Sequence, residues 1–369
     1  MNHFKFHPVG QGLFYTGQLA GGKYNFVYDC GSLSGDLYLK GSIEEYVLSL
    51  KTNGSGVSAI DFAVISHLHA DHFNGLMYLM DKIYIRKIIL PYIGDDINFI
   101  ALILENAIFT DVNNEQKEHS FALFDFMLGL YERNGNIEDH IKFDREEIGR
   151  KGMYCFVKQI KMVNVENTFW SFVFLNRRIP QDQLNNLISK MHRAMIDFGV
   201  TSICDLVHNH GFDVIKKIYN SVFATNHNIS STILLHYPTE YDTFNETSIS
   251  FTNIKCNIIT TNINLHELTS TVSLLTGDAM ITDDFGNEIK NSYPNDIGEI
   301  GVLQMPHHGS LQNYQFMKRQ RICAEAYVVS YGLGNRYKHP RHEVIDDLYE
   351  NNKSVFFANQ YECFDYIIE

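Results

Sequence analysis

The sequence has no closely spaced pair of cysteines. Its six (Cys30, Cys155, Cys204, Cys256, Cys323 and Cys363) are scattered over 369 residues without a Cys-x-x-Cys spacing. That excludes a cysteine-built zinc site and a disulfide framework, and it fits a reducing compartment. From Met1 to Phe14 no charged segment precedes an apolar one, so no secretory signal is expected. No apolar run is long enough to cross a bilayer, and a cytoplasmic protein without membrane contact is the expectation. Internal repeats and low-complexity tracts are absent. Gly10-Gln11-Gly12 is too short for a phosphate-binding loop and reads as a turn. Positive charge is scarce too: 30 Lys and Arg stand against 43 Asp and Glu, for a formal charge of −13. Phosphate contacts supply most nucleic-acid affinity, so this balance weighs against a processive DNA enzyme. It leaves room for a small phosphodiester substrate, especially where bound divalent ions offset the deficit locally.

Hydrophobic residues make up 45% and aromatic residues 13% of the chain, enough for a sizeable buried core. Residues 3–30 read as a β-hairpin turning at its glycines, residues 43–50 as a helix, Ile60 to Ile65 as a buried strand, and Phe73 to Met80 as a helix. Lys87 to Leu90 reads as a strand stopped by Pro91. This alternation predicts an α/β sandwich. Between 96 and 225 the pattern changes: 97–110, 115–133, 181–199 and 204–223 carry apolar residues at helical intervals, interrupted by a strand-like Phe169 to Asn176. Strand signals return at 231–236, 249–261, 271–276, 300–305 and 325–331. The expected organisation is therefore a first half-domain over 1–95, a mostly helical insertion over 96–225, and a second half-domain over 226–369.

The chemistry concentrates in Ser66-His67-Leu68-His69-Ala70-Asp71-His72, which follows a hydrophobic strand and precedes a helix. In an extended segment alternate side chains share a face, so His67 and His69 can point at one metal ion. The turn into the helix then aims Asp71 and His72 at a second position. With 17 His and 43 acidic residues in the chain, such a spacing arises by chance with a probability of roughly 0.004, so a loop of unrelated histidines is the weaker explanation. Imidazole and carboxylate ligands suit zinc, manganese or iron.

This segment resembles the signature of the metallo-β-lactamase superfamily, whose fold is an αββα sandwich around a dinuclear metal site. The resemblance implies later ligands from an isolated His, an Asp after a strand, and a final His. Ser273-Leu274-Leu275-Thr276-Gly277-Asp278 resembles the strand ending in Gly-Asp, which makes Asp278 the candidate bridging carboxylate. Pro306-His307-His308-Gly309-Ser310 resembles the motif of the ComEC-like subgroup. One of His307 and His308 is then the last ligand, and the other orients a phosphate or a ligand. Ser330 to Pro340 resembles the subgroup's downstream loop, with Lys338 where the family usually has Gly. The resemblance implies a proton donor or substrate contact in His339 and substrate contacts from Asn335, Tyr337 and Lys338. Val9-Gly10-Gln11-Gly12 and Tyr28-Asp29-Cys30-Gly31-Ser32 resemble the subgroup's opening strands. For the isolated His, the Asn226-His227 segment fits the register before a Ser that opens a strand, so His227 is the candidate, with Asn228 as an alternative supporting group.

Two divalent ions, Zn2+ or Mn2+, are thus the expected cofactors. Such a pair can share one water and lower its pKa toward neutrality, giving the expected nucleophile, with Asp71 both ligating and orienting it. The resemblance implies a phosphodiesterase or nuclease acting on nucleic acid or nucleotide. Arg336, Lys338 and Arg341 around His339, and Lys318-Arg319-Gln320-Arg321, supply positive charge in support. Two other readings remain: a hydrolase of a non-phosphate ester, lactone or thioester, and a subunit that binds a protein partner through the helical insertion.

Overall fold

The structure, a computed structural model, describes residues 1–52, 59–91, 117–132, 136–137, 153–157, 161–165, 168–177, 179–201, 203–210, 212–223, 231–239, 249–255, 268, 270–293 and 300–368. Its strands are β1 (Asn2–Phe6), β2 (Gly12–Leu19), β3 (Tyr24–Ser32), β4 (Ala59–Ile60), β5 (Phe62–Val64), β6 (Tyr84–Ile85), β7 (Lys87–Pro91), β8 (Asn136–Ile137), β9 (Met153–Val157), β10 (Lys161–Val165) and β11 (Trp170–Asn176). They continue with β12 (Thr232–Pro238), β13 (Ile249–Lys255), β14 (Ser273–Leu275), β15 (Ile300–Gln304), β16 (Ala324–Ser330), β17 (Ser354–Ala358) and β18 (Glu362–Ile368). Among the described residues they form two large sheets, ordered β13-β18-β1-β2-β3-β5-β7-β9-β8 and β10-β11-β12-β14-β15-β16-β17, with β4 and β6 pairing separately.

Side-chain alternation along the strands dictates the layering. In β3, Phe26 and Tyr28 point between the sheets, while Val27 points outward beneath the helices Asp36–Thr52 and Leu76–Lys82. In β15, Val302 points inward, and Leu303 packs outward with the helices Asp283–Asn291, Leu311–Arg319 and His342–Glu350. Helices therefore cover the outer face of each sheet, and the inner faces meet in an aromatic core that includes Phe4, Phe62, Trp170 and Phe364. Each such fully buried aromatic contributes about 1.5–3 kcal/mol of transfer free energy. This layering, helices on sheet on sheet on helices, is the αββα sandwich that the sequence resemblance implied.

A polar thread crosses the aromatic core. Trp170 Nε1–H donates to His236 Nδ1 at 3.3 Å, which leaves the imidazole proton on Nε2, 2.9 Å from the Tyr15 hydroxyl. The Tyr15 hydroxyl meets that of Tyr366 at 2.7 Å, and Tyr366 meets Ser273 Oγ at 2.7 Å. Burial pushes the pKa of His236 down to about 3, so it is neutral in the folded chain. It is a core residue that ties the two sheets together.

Two local readings differ from the sequence expectation. Residues 3–30 form a three-stranded meander rather than a hairpin, because 12–19 is itself a buried strand. Its glycine pattern disguised it: Gly17 is there because the Phe26 ring lies against it, leaving no room for a side chain. The helix expected over 73–80 is two helices, Ala70–Phe73 and Leu76–Lys82, broken at Asn74-Gly75. Asn74 bonds the backbone of Ser32 in both directions, at 2.9 and 2.7 Å, and Gly75 N donates to Cys30 O at 2.8 Å, so these residues anchor the loop to β3 instead of continuing a helix.

Within 96–225, the described segments are helices at Lys117–Glu132, Gln181–Phe198, Ile203–His210 and Phe212–Phe223, with strands β8 to β11 between them. β9 pairs with β7 and β11 with β12, so this region also adds strands to both sheets. The expected helix at 97–110 lies outside the described residues. Among the described residues no helix is long and apolar enough to cross a membrane.

Candidate metal centre

The chemistry gathers where parallel strands end. β3, β5 and β7 run parallel in one sheet, and β14, β15 and β16 in the other. Loops leaving the ends of β5, β14, β15 and β16 carry His67 to His72, Asp278, His307 with His308, and residues 331–341. The two sheets are clamped at this rim: Thr232 N donates to Ser66 O at 2.7 Å and Tyr28 Oη to Thr232 O at 2.8 Å.

Asp278 sits at the centre. It leaves β14 through Gly277, whose φ of 53° is left-handed and whose missing side chain leaves space for Ser66 Oγ. Gln304 Oε1 accepts from Thr276 N at 2.8 Å, and Asn313 Nδ2 donates to Asp278 O at 3.2 Å, so the backbone carrying the carboxylate is held on both sides. The two carboxylate oxygens face different partners. Oδ1 lies 3.2 Å from His72 Nε2 and 3.7 Å from His308 Nε2. Oδ2 lies 3.7 Å from His67 Nε2 and 3.6 Å from His307 Nε2. Asp71 Oδ2 approaches His308 Nε2 to 3.3 Å.

One buried carboxylate sets the imidazoles. Asp29, at the end of the apolar run of β3, accepts from Ser66 N at 2.6 Å, from Ser66 Oγ–H at 2.6 Å and from His72 Nδ1–H at 2.7 Å. The Ser66 hydroxyl proton is thereby committed to Asp29, so Ser66 Oγ can only accept from His67 Nδ1–H, 3.0 Å away. His308 Nδ1–H donates to Ser330 O at 2.7 Å. His67, His72 and His308 therefore all carry their neutral-state proton on Nδ1 and turn an Nε2 lone pair toward Asp278.

Electrostatics follow the geometry. Burial would raise the pKa of Asp71, but His72 and His308 hold it well below the ordinary carboxylate range. Against the same burial penalty, His307, His72 and His308 hold Asp278 well below it. His67 is pushed well below the usual imidazole range by burial and by His72, and His69 is pushed down to about 4, chiefly by burial. Burial would lower His72, yet Asp278, Asp29 and Asp71 raise it well above its ordinary value. Asp29 is raised by burial against the pull of His72 and Ser66.

A divalent cation fits this arrangement. Ligand atoms of His67, His72 and Asp278 lie within 4.8 Å of one another, as do those of Asp71, His72 and His308. His67 Nε2 is buried with no hydrogen-bond partner. Such a nitrogen is costly to leave unsatisfied unless it has a function, and an ion satisfies it.

His69 and His307 belong to neither of these two groups; the His69 ring stands edge-on to His67 with 4.7 Å between centroids, and His307 Nε2 lies 3.6 Å from Asp278 Oδ2. His227 and Asn228 lie outside the described residues. The 331–341 loop reaches the rim. His339 places its ring 5.4 Å from that of His307, with Nδ1 buried and without a hydrogen-bond partner, and its pKa is pushed down to about 4, first by burial. Asn335 is bonded inside the loop, donating to Gly332 O at 2.7 Å and His339 O at 2.5 Å, which leaves its amide on loop structure rather than in the site. Tyr337 is exposed, stacked between the Arg336 guanidinium and the His339 ring. Lys338 is exposed beside it in a left-handed conformation (φ 58°).

Sequence reasoning gave no role to Asp29, Ser66 or the Ser330 carbonyl. For Asp29 a signal existed: a lone carboxylate closing an apolar strand, in a segment already matched to a family strand.

Residues 15–106, about a quarter of the chain, match the family model of the metallo-beta-lactamase superfamily. That stretch runs from β2 through the His67 to His72 loop; Asp278, His307 and His308 lie beyond it. No curated protein matches the chain. Among solved structures, the chain is similar to the crystal structure of unliganded yeast PDE1, with a TM-score of 0.44 and 10% identity over 99% of each chain.

Proposed function

We propose that the chain is a hydrolase using two divalent metal ions, and that it cleaves phosphodiesters. The observation that carries this reading is the division of Asp278: each of its oxygens faces two imidazole nitrogens, at 3.2 and 3.7 Å on one side and 3.6 and 3.7 Å on the other. A carboxylate flanked in this way can serve two cations at once. When bound, such a pair supplies Lewis acidity and a water acidic enough to react near neutral pH.

The chain's own residues do the rest. Asp29 and Ser66 fix His67 and His72 in the tautomer that leaves Nε2 free to ligate. Ser330 does the same for His308. Asp71, anionic and beside His308, orients the attacking water as well as ligating. His339, at the rim next to His307, contacts the scissile group or its leaving oxygen.

The substrate class rests on charge. Arg336, Lys338 and Arg341 are exposed around His339, where they can pair with phosphate oxygens. With a net charge of −13 the site takes a short or small substrate, a nucleotide or a nucleic-acid end, rather than a long duplex. The Pro306–Ser310 and Ser330–Pro340 motifs support placement in the ComEC-like subgroup, and a cytoplasmic setting fits cysteines scattered without a Cys-x-x-Cys spacing.

The test is turnover of bis-p-nitrophenyl phosphate, short oligonucleotides and cyclic nucleotides in Mn2+, Zn2+ and Mg2+, beside a panel of lactones and thioesters. Turnover confined to the phosphodiesters supports the proposal. Turnover confined to lactones or thioesters replaces its substrate class.

A further inference from the structure

The two adjacent histidines of Pro306–Ser310 do not share a role. His307, His308 and Gly309 have φ of 51°, 53° and 79°, a left-handed turn in which two of the three residues carry side chains. Non-glycine residues resist this conformation, and two in succession persist only where the surroundings impose them. Here His307 N donates to Gly277 O at 3.1 Å, and Ser310 N to His307 O at 3.0 Å. The turn is thus tied to the loop that carries Asp278. Its effect is to turn the two imidazoles to different oxygens of that carboxylate: His308 toward Oδ1 and Asp71, His307 toward Oδ2, the oxygen that His67 also faces.

The distances discriminate between hydrogen bonding and ligation. His307 Nε2 is 3.6 Å and His67 Nε2 3.7 Å from the same oxygen, too far for a good hydrogen bond. Two ligand atoms each about 2.1 Å from one ion at tetrahedral angles stand about 3.4 Å apart, close to these separations.

We infer that His307 and His308 bind different ions. His308 joins Asp71, His72 and Asp278 Oδ1, and His307 joins His67 and Asp278 Oδ2. His307 then supplies the ligand that the sequence reading sought in His227. This deepens the proposed function and rests on its two-metal reading. It also ranks the ions. The Oδ1 set is buried throughout, whereas the His307 side chain is 37% exposed, so the Oδ2-side ion faces solvent and is the first lost to chelator.

The experiment is metal content per chain, measured by elemental analysis after reconstitution with Zn2+ or Mn2+, for the wild type and for His307→Ala, His307→Asn and His227→Ala. Asn tolerates the left-handed backbone, so His307→Asn guards against a turn that fails to form. The inference predicts two ions in the wild type and in His227→Ala, and one in both His307 variants. It also predicts stepwise loss of ions from the wild type under chelator titration. Two ions retained in both His307 variants, or a loss confined to His227→Ala, overturns the inference and leaves the metal centre standing. A wild type that binds no ion, or only one, instead sinks the two-metal reading itself.

Discussion

Asp29 accepts a hydrogen bond from His72 Nδ1 at 2.7 Å, with both side chains fully removed from solvent. The same carboxylate fixes Ser66, and through it His67, so one buried anion aligns two candidate ligands. Replacing Asp29 by Asn keeps the size but loses the anionic acceptor that His72 and Ser66 share. The expected result is metal affinity lowered by about 10- to 100-fold, with the fold retained by circular dichroism. Calorimetric titration of zinc into apo protein measures it, and unchanged affinity would remove Asp29 from the account.

Gly31 gives a steric test of the same loop. A Cβ there would lie 2.4 Å from the backbone atoms Asp71 C and His72 N, which cannot yield as a flexible side chain could. Gly31→Ala should cost about 1–3 kcal/mol by overpacking and should weaken metal binding, because the displaced backbone carries two candidate ligands, Asp71 and His72. Denaturant unfolding with and without metal separates the two effects.

Metal removal should destabilise the protein. The site concentrates two anionic carboxylates with imidazole nitrogens that an ion would satisfy. Each ion bound at a hundredfold excess over its Kd adds about 2.7 kcal/mol to the folded state. A thermal scan with Zn2+ or Mn2+ should therefore melt several degrees above one with chelator. Coincident curves would contradict ligation.

The pH dependence of stability should carry the mark of His236. Burial lowers its folded pKa to about 3, against an ordinary value of 6.5 in the unfolded chain. Between those values the unfolded state binds a proton that the folded state refuses. The contribution is thus fully present above about pH 6.5 and is lost as pH falls toward 3, at up to about 1.4 kcal/mol per pH unit. Protonation would also set an Nδ1–H against the Trp170 N–H donor. Urea unfolding of the wild type and His236→Phe across pH 4–7 checks this: the variant should show the shallower acid slope, and equal slopes would contradict the assignment.

What could be read from the sequence was what is local in sequence. The His67 to His72 spacing, the Thr276-Gly277-Asp278 turn and the paired histidines at 307–308 each lie within a few residues, and apolar runs such as Phe26 to Tyr28 and Ile60 to Ile65 read as strands. What could not be read was created by pairing. Asp29 meets Ser66 because β3 and β5 run parallel with Tyr28 opposite Val64, a register fixed by the whole sheet. Nothing local to His236 announces that its strand places it among the core aromatics. The left-handed turn at His307 and His308 has no glycine at either position to announce it, so the division of their roles emerged only from backbone angles.

The most direct test is a crystal structure of protein reconstituted with Mn2+ or Zn2+, with anomalous data collected at the metal absorption edge. The account predicts two peaks flanking Asp278, one within ligand distance of Asp71, His72 and His308, the other of His67 and His307. A map without a peak between these side chains in a crystal shown to contain the metal would contradict it.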